Sequence, residues 1–539
     1  MNLWSLKNKS VLIVDDYDKM RLLIREMLMP LGPAKVAMAR NGKEAIELLE
    51  GNAFDIVLCD YKLGNGRDGQ QVLEEARHRN LLSHAAIFFI VTTENASKMV
   101  MGAIDHLPDD YISKPFTQSQ IQTRLEKASR RKAKLEEIAE AVNAKNFSKA
   151  LNICDQKLRE ETYGLIEVQK IKGDLLCKLG RLDEAERYYI DLLKDRDIPW
   201  VRLALGKVYF QKQNYAEAEV QFELLINENP AYVHALDWLA DTLEVQGQLE
   251  RSQHMLERAI DLSPKSPMRQ RKLGAIAFRN GAYDIAEEAY GNAILTGRNS
   301  CFGNLADAAG LTRSLINQDK IKEAFESIEN IKQDFKNNPD AQLYIALSKS
   351  ILYRETNDLN ECGKNLDIVF KNLNKRAGAL HPETALEIAQ TCLTLDNHEL
   401  TNKIIKQLVN DHSENEKLLD QVRQLYEKAG KLDEANDIIQ STRQEIVKIN
   451  NEGVKMVQDG KLEQSINFFI QAAKGMPNNA TINFNAAYSL IRQMKRTREM
   501  GKYFSLCQKL MEQGHKVDPN NQKYFQLLKL TEELSNETT

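Results

Sequence analysis

Val11-Leu12-Ile13-Val14-Asp15-Asp16 sets a short apolar run against a pair of carboxylates. A run of four apolar residues, rich in β-branched side chains and stopped by charge, reads as a strand buried on both faces of a sheet. Working outward, similar runs follow at Lys35-Val36-Ala37-Met38-Ala39, Asp55-Ile56-Val57-Leu58-Cys59, Ala86-Ile87-Phe88-Phe89-Ile90-Val91 and Tyr111-Ile112-Ser113. Amphipathic helical stretches separate them as far as about Lys127, and this alternation predicts an α/β doubly wound, five-stranded parallel sheet with five helices. Runs one, three and four are apolar on successive residues and are expected at the centre. Runs two and five are more mixed and suit the edges.

The chain has 539 residues, more than one core usually serves. Lys and Arg number 73 against 77 Asp and Glu, so no general attraction to nucleic acid is expected. The seven cysteines are scattered and form no C-x-x-C or Cys/His cluster, which fits a reducing compartment without structural zinc. Cys59 reads as a buried small hydrophobe. No apolar run is long enough to span a bilayer, and none near Met1 has the length of a signal segment. A cytoplasmic location with no membrane contact is the expectation.

After Arg130 the strand signal ends and the chain reads as helix pairs. A 34-residue period links Gly206, Ala240 and Gly274; Tyr215, Leu249 and Tyr283; Ala218, Ser252 and Ala286; Phe222, Leu256 and Tyr290; and Pro230 with Pro264. Gly173, Gly180, Ala185 and Tyr189 fit one unit earlier at a spacing of 33. Small residues let paired helices approach, large ones fill the gap, and proline ends the second helix. This pattern resembles the tetratricopeptide (TPR) repeat and implies an all-α superhelix. The expected division is a sheet domain over 1–128, a linker helix over 129–140 and an array over 141–539. Repeats are clearest at 166–298 and weaker at 305–338 and 416–478. Irregular pairs are expected between about 340 and 415. The basic stretch 127–137 reads as the last helix of the first domain running on into the linker, with a solvated face.

At the C-terminal ends of the strands stand Asp15 and Asp16, Asp60, Thr92 and Lys114, the edge where open α/β sheets bind ligands. The words Ile-Val-Asp-Asp, Val-Leu-Cys-Asp, Ile-Val-Thr-Thr-Glu and Tyr-Ile-Ser-Lys-Pro-Phe, over about residues 8–128, resemble the receiver domains of response regulators, of CheY-like, flavodoxin-like fold. The resemblance implies a bacterial two-component protein that binds Mg²⁺ directly through Asp16, Asp60 and the backbone carbonyl of Lys62, with Asp15 holding a metal-bound water. A crowd of carboxylates independently favours such an oxygen-preferring cation. By the same resemblance Asp60 is the phosphoacceptor, Lys114 neutralises the transferring group, and Thr92 and Tyr111 form the switch. The Lys114–Pro115 bond is expected to be cis. The implied phosphodonor is a sensor histidine kinase or phosphotransfer protein, and a receiver-mediated dimer is a further expectation. No enzyme activity is expected beyond self-catalysed phosphotransfer and autodephosphorylation.

The sequence departs from the family pattern in several places. The loop Tyr61 to Gly69 lacks the proline often found there and carries one extra residue. Thr93 stands where a small residue is usual, and Leu107-Pro108 replaces a small pair. Lys62 and Glu94 flank the path of an attacking water, and a pair between them is expected to lengthen the life of the acyl phosphate.

Output is expected through a protein partner in the groove of the array, lined by Lys170, Asp174, Lys207, Phe210, Asp237, Asp241, Arg271 and Phe278. Moving such a switch from mostly closed to mostly open takes a differential of about 5.5 kcal/mol. The alternatives are a transcription-linked regulator, a signalling enzyme, and a phosphate sink or passive scaffold with a vestigial receiver. No helix-turn-helix or basic recognition helix is visible after residue 130, and no catalytic word appears in the repeats.

Overall fold

The computed structural model describes residues 5–64, 66–83, 85–93, 108–160, 165–194, 196–335, 338–374 and 380–538. They form two compact units, Met1–Asp307 and Ala308–Thr539.

The first unit opens with a five-stranded sheet: β1 (Ser10–Val14), β2 (Lys35–Ala39), β3 (Ile56–Asp60), β4 (Ile87–Thr92) and β5 (Asp110–Ser113). The order is β2-β1-β3-β4-β5 and every pairing is parallel, so β2 and β5 are the edges. The central runs are apolar on successive residues because each face meets a different core. Leu12, Val14, Val57, Cys59, Phe88 and Ile90 join one cluster with Ala45, Ile46, Val72 and Leu73 of α2 (Gly42–Gly51) and α3 (Gly69–His78). Val11, Ile13, Ile56, Leu58, Phe89 and Val91 join another with Ile24 and Leu28 of α1 (Asp18–Leu28) and Ile121 and Leu125 of α4 (Gln118–Ala133). The helix expected between β4 and β5 falls on residues 94–107, outside the described residues.

Charge and caps lock the local geometry. Asp55 accepts from the backbone N–H of Ser10 and its hydroxyl, both at 2.8 Å, and from Lys9 at 3.2 Å, tying the start of β1 to the start of β3. Asp68 and Gln71 form a reciprocal capping box that starts α3.

The expected linker helix over 129–140 is not one element. Helix α4 stops at Ala133, and α5 (Glu136–Asn143) begins anew after a turn closed by Leu135 N–H on the Lys132 carbonyl at 2.8 Å. The turn sends Leu135, 4% exposed, into the first core cluster of the array with Ile138, Ala141 and Leu151. Burying that side chain contributes on the order of 2 kcal/mol. Residues 129–133 therefore belong to the sheet domain.

From α6 (Phe147–Glu160) the first unit consists of antiparallel pairs: α7 (Ile166–Lys178) with α8 (Leu182–Leu193), α9 (Pro199–Gln211) with α10 (Tyr215–Glu228), α11 (Val233–Val245) with α12 (Leu249–Leu262), and α13 (Pro267–Arg279) with α14 (Tyr283–Gly297). Each pair fits a small residue under a large one. A β-carbon at Gly206 would lie 2.5 Å from the Phe222 ring and one at Gly274 2.9 Å from Tyr290, and Gly173 approaches Tyr189 as closely. In the pair α11–α12 the same positions hold Ala240 and Leu256, both fully buried. A larger small residue there faces a smaller large one.

The second unit continues the pairs through helices Ile321–Asp334, Ala341–Glu355, Leu359–Leu373, Pro382–Thr394, His398–His412 and Glu416–Lys428. The region expected to be irregular is a regular succession of pairs with a longer period. The residue that turns the chain between paired helices has positive φ throughout: Gly180, Gln213, Gly247 and Gly281 at spacings of 33–34, then Asp319, Asn357 and Asp396 at 38–39. Asp and Asn tolerate this left-handed geometry through local hydrogen bonding, so the glycine signal disappears while the turn persists. The weaker copies at 416–478 are joined by one 27-residue helix, Leu432–Gln458, which packs on Glu416–Lys428 and on Leu462–Gly475. Gly453 on it lies under Phe469.

Candidate functional site

The sheet brings the chemistry to one edge. Asp15 follows β1, Asp60 ends β3, Thr92 ends β4 and Lys114 follows β5, so parallel pairing alone gathers them at the C-terminal side. Carboxylate oxygens of Asp15, Asp16 and Asp60 lie within 4.8 Å of one another. Asp15 is buried, Asp60 half-buried and Asp16 exposed, so the cluster opens to solvent on one side. The Tyr17 N–H donates to Asp15 Oδ1 at 2.9 Å and orients it. Lys114 Nζ donates to Asp15 Oδ2 at 2.8 Å and Asp60 Oδ2 at 2.9 Å.

Burial pushes the Asp60 carboxyl above its ordinary value, against the hydrogen bond from Lys114 and with added repulsion from Asp15. Burial works against the Lys114 ammonium as well, but its hydrogen bonds to the two carboxylates outweigh it and hold the pKa above the usual lysine range. Three convergent carboxylates supply the oxygen donors that a hard divalent ion such as Mg²⁺ takes. Asp15, Asp16 and Asp60 would hold it, with Asp16 on the open side. Lys62 lies exposed on the following loop, and Glu94 lies outside the described residues, so the expected Lys62–Glu94 pair does too.

The backbone around Asp60 is tightly fixed. The Tyr61 N–H donates to the Val91 carbonyl at 3.0 Å, and the Lys114 N–H to the Thr92 carbonyl at 2.7 Å. Any β-carbon at Gly69 would overlap the Asp60 carbonyl, so only glycine lets α3 begin so close to the site. Asp68-Gly69 could have been read as such a helix start from the aspartate cap. Thr92 is buried at 2% exposure. The Tyr111 hydroxyl is buried with no hydrogen-bond partner among the described residues, and burial, with Tyr61 nearby, pushes its pKa up to about 12. The Lys114–Pro115 bond is cis.

On the array, the groove candidates occupy the first helices of successive pairs and spend much of their bonding on each other's helices. Lys170 lies over Trp200 at 5.4 Å and Lys207 over Trp238 at 5.2 Å. Phe210 packs edge-on against Trp238, and Phe278 is tilted against Tyr283. Asp174 is exposed, with its field acting on Lys207. Asp237 takes both nitrogens of a bidentate Arg269 at 2.7 Å, and Asp241 pairs with Lys272. Arg271 clamps the buried Asp307 at 2.6 and 2.8 Å and donates to the Phe302 carbonyl at 2.8 Å. Asp237, Asp241 and Arg271 thus cross-link neighbouring pairs.

The family profile for the response regulator receiver domain matches residues 11–126, and that for the tetratricopeptide repeat matches 172–232 and 239–300. The chain is 31% identical over 121 residues to chemotaxis protein CheY-3 of Vibrio cholerae, covering 22% of this chain and 92% of that protein. It is 31% identical over 117 residues to chemotaxis protein CheY of Pseudomonas aeruginosa, covering 22% and 93%. Among solved structures, the N-terminal domain of a response regulator/sensory box/GGDEF 3-domain protein from Carboxydothermus hydrogenoformans matches with 28% identity and a TM-score of 0.21, over 23% of this chain and 94% of that one.

Proposed function

Since this chain belongs to the response regulator receiver family through its N-terminal domain, we propose that it accepts a phosphoryl group on Asp60 from a phosphohistidine and answers through a protein partner of its TPR array. The observation that carries this reading is the three-carboxylate cluster spanned by Lys114 at the C-terminal edge of the sheet. An Asp60 oxygen attacks phosphorus, the N–P bond of the donor breaks, and an acyl phosphate forms. Mg²⁺, when bound, neutralises charge on the transferring group. In this reading Lys114 leaves Asp15 to pair with a phosphoryl oxygen, and the Thr92 hydroxyl donates to another. Asp15, held by Tyr17, keeps its orientation throughout. The chain's chemistry ends with phosphotransfer to itself and hydrolysis.

Purified full-length chain incubated with Mg²⁺ and acetyl phosphate is expected to gain one acyl phosphate that mass mapping places on Asp60 and that Asp60→Asn abolishes. A chain that takes no label, or an Asp60→Asn variant that keeps it, refutes the reading. Chelation of the divalent ion is expected to stop labelling. On the array side, Lys170, Lys207, Trp200 and Trp238 supply charge and aromatic surface suited to a peptide or helix of a partner.

A further inference from the structure

Within the first unit the array returns to the sheet domain far from the covalent junction at 133–136. Lys265, in the loop between α12 and α13, donates to the Tyr61 hydroxyl at 3.1 Å and lies 5.5 Å from the centre of its ring. Its charge also acts on the carboxylate of Asp68, the cap of α3. Phe302, in the loop after α14, packs edge-on against His78 at the end of α3, with ring centres 5.0 Å apart and planes at 67°. Neighbouring Cys301 lies in the field of Glu74 and Glu75 on the same helix.

Both loops are built rigidly. The buried Arg269 donates to the Ser263 carbonyl at 3.0 Å while it grips Asp237. Arg271 holds the Phe302 carbonyl while it grips Asp307. Gly297 and Gly303 touch backbone to backbone, where any β-carbon at 303 would overlap the Gly297 carbonyl. The loops therefore fix the backbone from which Lys265 and Phe302 reach the receiver.

On the receiver side the contact falls one residue from the phosphoacceptor. The Tyr61 backbone is pinned to β4, and its side chain packs on the same core cluster as Tyr111. Replacing the single charge of the Asp60 carboxylate by an acyl phosphate of about −1.5 to −2 adds negative charge one residue from Tyr61, whose hydroxyl accepts from the Lys265 ammonium. Lys265 is exposed enough for its charge to respond, and the effect is softened by solvent.

We propose that the array grips the receiver at a second surface, the corner formed by the β3–α3 loop and helix 69–78, through Lys265 and Phe302, and that phosphorylation of Asp60 tightens this grip. The tightening rests on the Asp60 reading above; the grip itself does not. The state of Asp60 is then read by the array at α3 and the loops 263–266 and 298–303.

Hydrogen exchange on the full-length chain separates the two parts. Without phosphodonor, amides of 69–78 and 298–303 are expected to exchange several-fold faster in Lys265→Ala/Phe302→Ala than in the wild type. Lys265→Glu, a surface change that leaves the core intact, is expected to show the same direction at Tyr61 to Gln71. Adding Mg²⁺ and acetyl phosphate is expected to slow exchange further in the wild type and to leave Lys265→Glu unchanged, with intact mass on the same samples reporting phosphorylation. Equal exchange in the wild type and both variants overturns the grip. A phosphorylated wild type with no added protection overturns the tightening. A grip without any phosphoryl label on Asp60 takes down the receiver reading and the tightening together, while the contact stands.

Discussion

Replacing Gly206 by alanine tests whether matched volumes hold the array together. The new β-carbon would lie 2.5 Å from the Phe222 ring, about 1 Å inside ordinary carbon–carbon contact. The ring has nowhere to go: Phe222 is fully buried and stacks on Trp238 at 6.4 Å. Overpacking against a ring that cannot yield falls in the upper part of the usual range, about 2–3 kcal/mol, and alanine returns about 1 kcal/mol of helix propensity. The net expectation is a loss of about 1–2 kcal/mol. With a slope of about 2 kcal/mol per molar urea, the unfolding midpoint falls by about 0.5–1 M. Fluorescence of Trp238, next to the altered pair, is the readout that stays local in a repeat array. The double variant Gly206→Ala/Phe222→Leu rebuilds the pair that the chain itself uses at Ala240 and Leu256. It is expected to be more stable than the sum of its single changes by about 1 kcal/mol. An unchanged or raised midpoint in Gly206→Ala, together with no coupling in the cycle, would refute the volume-matching account.

Asp237→Asn leaves the Arg269 guanidinium, whose side chain is 3% exposed, without its charged partner, and a loss of about 3 kcal/mol is expected from thermal or urea unfolding. Burial opposes the Asp55 carboxylate, but the hydrogen bonds from Ser10 and Lys9 outweigh it and hold its pKa below the ordinary 3.8. Its stabilisation is therefore complete above about pH 4 and lost as pH falls through the folded-state value. The stability gap between wild type and Asp55→Asn should accordingly shrink on acidification, and a gap constant down to pH 2–3, on the order of a unit below the ordinary carboxylate pKa, would contradict this. Burial pushes the thiols of Cys154, Cys392 and Cys507 up to about 12, so native protein at pH 8 should resist alkylation there until denaturant is added. Peptide mapping after iodoacetamide checks this.

Much of the receiver could be read along the chain because its site is a consequence of strand ends. Once Val11–Val14, Ile56–Cys59 and Ile87–Val91 are recognised as doubly buried parallel strands, the residues that follow them must share one edge. That logic placed Asp15, Asp60, Thr92 and Lys114 together without any knowledge of distance. It could not place Gly69, whose role depends on how closely α3 approaches the Asp60 carbonyl. Nor could it end α4 at Ala133, because helix propensity through Arg130-Arg131-Lys132-Ala133-Lys134 is unbroken and the turn accompanies burial of Leu135 in the first core of the array.

The array divides in the same way. In the clear repeats three of the four turns are glycine, Gly180, Gly247 and Gly281, with Gln213 the fourth; in the stretch of longer period Asp319, Asn357 and Asp396 adopt the same backbone and no glycine marks it. The groove candidates were chosen by their place on first helices, yet Asp237 and Arg271 meet arginine and aspartate partners from adjoining segments of the chain, which spacing within one helix does not reveal.

By itself, then, the sequence determined which residues repeat, which alternate and which stand at strand ends, since those properties follow from local periodicity. Tertiary structure alone decided that Tyr61 meets Lys265 across 204 residues and that His78 meets Phe302. The physical reason is that a contact between two modules depends on the summed geometry of every intervening helix pair, and no local pattern carries that sum.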